Sequence, residues 1–401
     1  MNILYLTPEG FNTPNPNNQL VMVLLRELLK KNNKVYVVQS KKSDTFDDIP
    51  EMLKNKDNLV VETIIRKKID KKSFIKRYLN EFRWAFQSYN RCKKIKKKVD
   101  VVILQSCPTA VYELILLKLF FRKPIVFNVY DLWPGNLIES GITKSKFLVY
   151  ILKKLQKIGY KCCKKIIVLS EDMRQKLIEE KIKSNKVDVV PAWYDDENVR
   201  EISFDENRFI SKYPKPGNFV VQFAGSIGYV FNYDVVLDTA KLLAKYADIV
   251  FQIVGDGIFK EEFMKKTKEN GITNIYFYPL QPVELVPDVY SACNVEIIPL
   301  RKAVIGVGVP SKAPLVMACR RVIINSLEDS PYSRLFFENN MGISVSYNDS
   351  KALAKSILKL YNDQELYKTM STNAYEFAKN NYSSSICVEK FNAILERTLK
   401  N

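Results

Sequence analysis

The chain has 401 residues, of which 47% are hydrophobic and 26% charged, with 62 Lys and Arg against 44 Asp and Glu and no histidine. That length suffices for two domains of ordinary size, each with its own core. The lack of histidine removes His-based triads, histidine metal sites and an imidazole general base together, so chemistry must rest on carboxylates, cations, hydroxyls or the substrate itself.

The chain opens on "MNILYLTPEG", which reads as a first strand because it lacks a basic leader and its apolar run is too short for a signal peptide. The loop that follows, "TPEGFNTPNPNNQ" at 7–19, is rich in Asn and Pro. Its polar side chains, Asn12 among them, either bind a ligand or simply fill a long loop. Further short β-branched runs come at "KVYVVQ", "DVVILQ", "PIVFNVY", "KIIVLS" and "VDVVP", most of them separated by helical stretches. The apolar stretch "VYELILLKLFF" at 111–121 is interrupted by Glu113 and Lys118 and is too short to span a bilayer.

The positive charge is concentrated in this half. Residues 1–200 hold 39 Lys and Arg against 22 Asp and Glu, a balance of +17 out of the total +18. The clusters lie at 65–77, 91–98 and 153–165. A solvated helix face is one reading. Nucleic acid is another, unsupported because no recognition motif accompanies the charge. An anionic membrane surface is favoured, because Phe74, Tyr78, Phe82, Trp84 and Phe86 interleave with the basic residues in one expected helix.

At the end of "PIVFNVYDLWP" stand Asp131 and Trp133. Asp131 is either a turn acid before Trp-Pro or a carboxylate free for proton transfer. Trp133 either stacks on a ligand or belongs to the core.

A charged segment with two prolines, 193–218, reads as a linker, after which the strand pattern restarts. The second set of runs is "NFVVQFAG", "DIVFQIVG", "NIYFYPL", "NVEIIPL" and "RVIINS". Alternation of this kind predicts parallel sheets covered by helices, with ligands at the carboxyl ends of the strands. Four such ends attract attention. "GSIG" at 225–228 allows close backbone approach to a phosphate, "GDG" at 255–257 adds Asp256, and "PLQP" near Leu280 offers a surface for a planar base. The fourth is "VIGVGVPSKAPL" at 304–315. Its glycines reach a Pro-Ser-Lys turn at the start of a helix, where Lys312 beside the dipole needs an anion and a diphosphate supplies one. Two closing helices are expected at 363–379 and 384–399. The seven cysteines form no C-x-x-C pair, which fits reduced thiols in a cytoplasmic protein.

The elements "YDLWPGNLIESG", "KIIVLSEDMRQKL", "VDVVPAWYD", "FAGSIG", "FQIVGDG", "GVPSK" and "MGISV", in that order, give the chain a resemblance to the GT-B glycosyltransferases of family 4, especially to those similar to bacterial colanic acid and O-antigen transferases. The resemblance implies an α/β chain of two Rossmann-like doubly wound domains facing across a cleft. Residues 1–196 would be an acceptor-binding, membrane-facing domain and 197–380 a nucleotide-sugar-binding domain, with a helix at 381–401 packing back on the first. It implies a retaining, metal-independent transfer from a nucleotide diphosphate sugar, a UDP-sugar being favoured, to a lipid-linked saccharide at the inner face of the cell membrane. The nucleotide sugar is the co-substrate, and no other cofactor, metal or nucleic acid is expected.

Carried over by position, Gly225, Ser226 and Gly228 approach the phosphates, and Arg301 or Lys312 meets the leaving diphosphate. Asp256 and Leu280 border the ribose and base, and Gly308, Ser311 and Leu315 line the donor side. Asn12 and Trp133 lie on the acceptor side. Two departures stand out: the family's two glutamates are replaced by Val307 and Leu315, and its amino-terminal His is absent, leaving Asp131 as its replacement. A scaffold without turnover and a GT-B sugar-nucleotide epimerase are the alternative functions.

Overall fold

A computed structural model describes residues 1–11, 16–41, 49–66, 74–135, 145–214 and 216–400. The alternating pattern folds into two parallel sheets. The first contains β1 (Asn2–Leu6), β2 (Lys34–Lys41), β3 (Leu59–Ile65), β4 (Val101–Gln105), β5 (Ile125–Val129), β6 (Lys165–Val168) and β7 (Val187–Val189), in the order β3-β2-β1-β4-β5-β6-β7. The second contains β8 (Phe219–Ser226), β9 (Ile249–Asp256), β10 (Ile275–Tyr278), β11 (Val295–Pro299), β12 (Val322–Ser326) and β13 (Gly342–Val345), in the order β10-β9-β8-β11-β12-β13. The ladders are parallel throughout. Strand order reverses between β1 and β4 and again between β8 and β11, and such reversals open the crevices where doubly wound sheets hold ligands.

Strands β3 and β13 were not expected, and both lie at sheet edges. β3 leaves most of its side chains partly in water, and β13 is four residues long with Ser344 in its middle, so neither shows the apolar run of a central strand.

The expected linker is more firmly packed than its composition suggests. Phe209 is buried, Asn207 donates to the carbonyl of Asp288, and the Arg208 guanidinium pairs with the Asp288 carboxylate at 2.6 Å. The chain crosses between domains at Tyr194 and returns at Tyr382, and the two crossings hydrogen-bond: Tyr194 N donates to Tyr382 O and Ser384 N to Tyr194 O, each at 3.0 Å. Helix Ser384–Lys400 then inserts Cys387, Val388, Phe391, Ile394 and Leu395 into the core of the amino-terminal domain, against helix Pro16–Lys30. Arg26 of that helix grips Asp195 through two bonds of 3.0 and 2.7 Å, beside the crossing.

The helix expected to face a membrane is built differently from that expectation. Trp84 is fully buried, with its ring beneath Arg66, so it is a core residue. Phe82 packs edge-on against Tyr112, and the Phe74 and Tyr78 side chains lie outside the described set. Helix Lys146–Cys162 presents Phe147, Tyr150, Ile151, Lys154, Ile158 and Lys161 to solvent at helical spacing. Leu119 and Phe120 are exposed on the short turn Leu117–Phe121.

Candidate active site

The carboxyl ends of β8 and β9 run side by side, with Gly225 opposite Gly255 and Ser226 opposite Asp256. Glycine is required here by space: a Cβ on Gly255 would stand 1.9 Å from the Gly225 carbonyl oxygen, and one on Gly257 would stand 2.3 Å from that of Ile227. The backbones are therefore closer than any side chain allows. Ser226 and Asp256 are exposed at this end, and Asp256 Oδ1 accepts from Gly257 N at 2.8 Å. Among the described residues, the N–H groups of Gly228 and Tyr229 have no protein acceptor. Two unengaged donors at a glycine turn are suited to an anion.

Strands β8 and β11 pair at Val221–Val295 and Gln222–Glu296, then separate. Lys312 occupies the fork. Its Nζ donates to Glu296 Oε1 at 2.6 Å, to Ala224 O at 3.2 Å and to Ile297 O at 3.4 Å, and it lies 3.8 Å from the centre of the Phe223 ring. All three ammonium donors thus have protein acceptors, which differs from the expected free cation for a diphosphate. Burial pushes the Lys312 ammonium down and the Glu296 carboxyl up, and their mutual attraction opposes both shifts. Ser311, half-buried, precedes this lysine, and Leu315 packs against the apolar cluster around Val316 and Met317.

Arg301 points elsewhere. Its Nε donates to Phe231 O at 3.2 Å and its guanidinium lies 5.7 Å from the ring centres of Tyr233 and Phe259. With Asn232, Asp234, Asp238, Lys302 and Tyr347 it lines a hollow of about 490 Å³ at the start of helix Tyr233–Leu243. Arg301 and Lys312 therefore hold different protein partners. Leu280 is exposed at the end of the β10 loop.

Across the cleft, Asp131 faces the loop before Lys312. A Cβ on Gly308 would stand 2.8 Å from Asp131 Oδ1, so the absence of that carbon makes room for the carboxylate. Among the described residues Asp131 has no hydrogen-bond partner. Its side chain keeps access to solvent along the cleft, but the walls on both sides cost its charge hydration and push the carboxyl up to about 6. Trp133 is half-buried beside it, and Asn12 lies outside the described residues.

Sequence reading missed two groups that shape this site. Glu296, with Gln222 and Gln252, forms a fully buried chain of bonds across three central strands, and a glutamate inside the apolar run "NVEIIPL" was the signal. Asp172 lies on helix Glu171–Glu179 of the amino-terminal domain, which packs against helix Pro331–Glu338 of the other domain; burial pushes its carboxyl up, and the nearby Tyr332 N–H and Ser330 hydroxyl oppose that shift. No local pattern announces a contact with the other domain.

The two halves match separate family models: residues 18–198 match Glycosyltransferase Family 4, and residues 203–377 match Glycosyl transferases group 1. The chain is 27% identical to the "Probable glycosyltransferase WbjE" of Pseudomonas aeruginosa over 68% of each chain. It is 23% identical to the capsular polysaccharide biosynthesis glycosyltransferase CapM of Staphylococcus aureus, over 64% of this chain and 68% of that one. The fold is similar to that of Alr3699/HepE from Anabaena, crystallised with UDP and glucose, with a TM-score of 0.75 at 13% identity and 99% of each chain covered. Two Rossmann-like domains with parallel sheets agree with those matches, and the chain belongs to the GT-B glycosyltransferases of the family 4 type.

Proposed function

We propose that the protein transfers a hexosyl group, with retention, from a nucleotide diphosphate donor, a UDP-sugar being favoured, to a lipid-linked saccharide in bacterial O-antigen or capsule assembly. The observation that carries this reading is the Asp131 carboxylate set against Gly308 across the cleft, facing the domain whose strand ends offer unengaged N–H groups. In this reading the diphosphate lies over Gly225, Ser226 and Gly228, where backbone dipoles stabilise the charge that develops as the sugar leaves. Asp256 and Leu280 border the ribose and base, and Ser311 and Leu315 complete the donor side. Asp131 takes the acceptor proton, since a carboxyl near 6 is largely ionised at neutral pH yet more basic than an ordinary aspartate. Trp133 and the loop containing Asn12 meet the acceptor. Charge stabilisation is assigned to protein donors without a metal.

The exposed face of helix Lys146–Cys162 supports a peripheral seat on an anionic membrane at the cytoplasmic side: aromatic and aliphatic side chains enter the interface while Lys154 and Lys161 meet headgroups. No helix among the described residues is long and apolar enough to cross a membrane. The names of WbjE and CapM, and UDP in the Anabaena structure, favour the same class of reaction. The test is thermal stability against a panel of nucleotide sugars, followed by nucleotide release on adding lipid-linked saccharides. A donor that binds raises the melting temperature, by more the further its concentration exceeds its Kd. A panel that shifts nothing and releases nothing overturns the reading.

A further inference from the structure

We infer that Glu296 and Lys312 act as one positioning unit that sets the width of the crevice between β8 and β11, and that Lys312 serves the donor site through this unit instead of by touching the diphosphate. The inference rests on the donor site proposed above. Its basis is the fork itself. Beyond the Gln222–Glu296 pair the two strands no longer bond to each other, and side chains replace the ladder. Glu296 Oε1 accepts from Ala224 N at 2.9 Å, so a β11 carboxylate holds a β8 amide that has no β11 carbonyl to reach. Lys312 Nζ bridges the Ala224 and Ile297 carbonyls, one on each strand. Glu296 Oε2 accepts from Gln222, which accepts from Gln252 on β9, so the bracing extends to the third strand.

The braced residue, Ala224, directly precedes Gly225 and the turn whose N–H groups await an anion. A shift at Ala224 therefore moves every donor in that turn. A buried ion pair contributes little net stability compared with apolar side chains of like volume, and its place at the fork, bonded to both strands, points to a geometric role.

Three variants test this: Glu296→Gln, Lys312→Met and the double variant. Donor KM and kcat are measured with the best UDP-sugar, alongside hydrogen exchange at the Ala224 amide, which needs no ligand. Each single variant is expected to raise donor KM about tenfold with kcat within about threefold, to quicken exchange at Ala224, and the double variant to be no worse than Lys312→Met alone, as for residues that act as a unit. A fall in kcat of about a hundredfold for Lys312→Met, with Glu296→Gln near wild type and the two effects multiplying in the double variant, places Lys312 on the reacting group and overturns the inference. If Lys312→Met fails to fold, Glu296→Gln decides: unchanged KM and unchanged Ala224 exchange overturn it. A wild-type protein that binds no nucleotide sugar refutes the donor reading, while Ala224 exchange still reports whether the brace exists.

Discussion

The backbone N–H of Leu132 donates to the carbonyl of Val307 at 2.7 Å, joining the first domain to the second at the site itself. Val307 also sends its side chain into the core of the amino-terminal domain, so close to Gly135 that a Cβ there would meet its Cγ1 at 2.8 Å. Val307 thus serves as an apolar plug between the domains. The contact that joins the domains is therefore the same one that sets Asp131 opposite Gly308.

That closeness makes Gly308→Ala informative. The added methyl would lie 2.8 Å from Asp131 Oδ1, and the free end of the side chain can yield, so the fold should hold while the carboxylate moves. A displacement near 1 Å is expected to lower kcat about 10- to 100-fold. Steady-state kinetics beside a melting curve checks this; unchanged kcat would remove Asp131 from the chemistry.

Asp131→Asn should reduce kcat by about 10²- to 10⁴-fold, the range of a lost general base. In the wild type, with the carboxyl pushed up to about 6, activity should rise through pH 6 and level off above it; the variant should lack that limb. The stability effect has the opposite sense. A carboxyl raised in the folded state gives stability that is full below its ordinary range near 3.8 and lost as pH rises through about 6. The variant should therefore melt higher than wild type at pH 7.

How much of this was legible beforehand depends on what each residue answers to. Central strands such as β4 and β11 announce themselves because both faces are buried, and the strand-end glycines follow once the strands are placed. Trp84 misled because its place among basic residues resembles an interfacial helix, whereas burial depends on what packs over it. The raised carboxyl of Asp131 and that of Asp172 depend on walls from the other domain, which no local pattern encodes. Lys312 was located correctly at a helix start, but the partner that occupies it, Glu296, lies 16 residues earlier on a neighbouring strand.

Glu113 gives a second pH test, away from the cleft. Burial pushes its carboxyl up to about 8, despite bonds from the Ser88 hydroxyl at 3.0 Å and the Cys107 thiol. The folded protein thus holds this proton where the unfolded chain has lost it, and stability should fall as pH rises from about 4.5 through 8. Glu113→Gln, which cannot ionise, should flatten that part of the melting temperature profile. An identical slope in the variant would assign it to other groups.

For the proposed membrane face, the paired change Phe147→Ser and Ile151→Ser should weaken sedimentation with anionic vesicles by about tenfold or more, the scale of withdrawing large apolar side chains from an apolar phase. Binding of the wild type should also fall as salt rises, since the lysines are screened. Equal binding by both proteins would reduce the patch to a solvated face.

The helix that returns at Ser384 gives the domains an unequal order of completion during synthesis. Lys31 pairs with Glu389, 358 positions downstream, and Phe391 fills a core begun by β1. The domain that emerges first from the ribosome must wait, with an apolar surface uncovered, until the second has been made. The nascent chain is most exposed to misassembly in that interval. The second domain contains its own strands and helices through Asn381 and is free to close before the first is sealed.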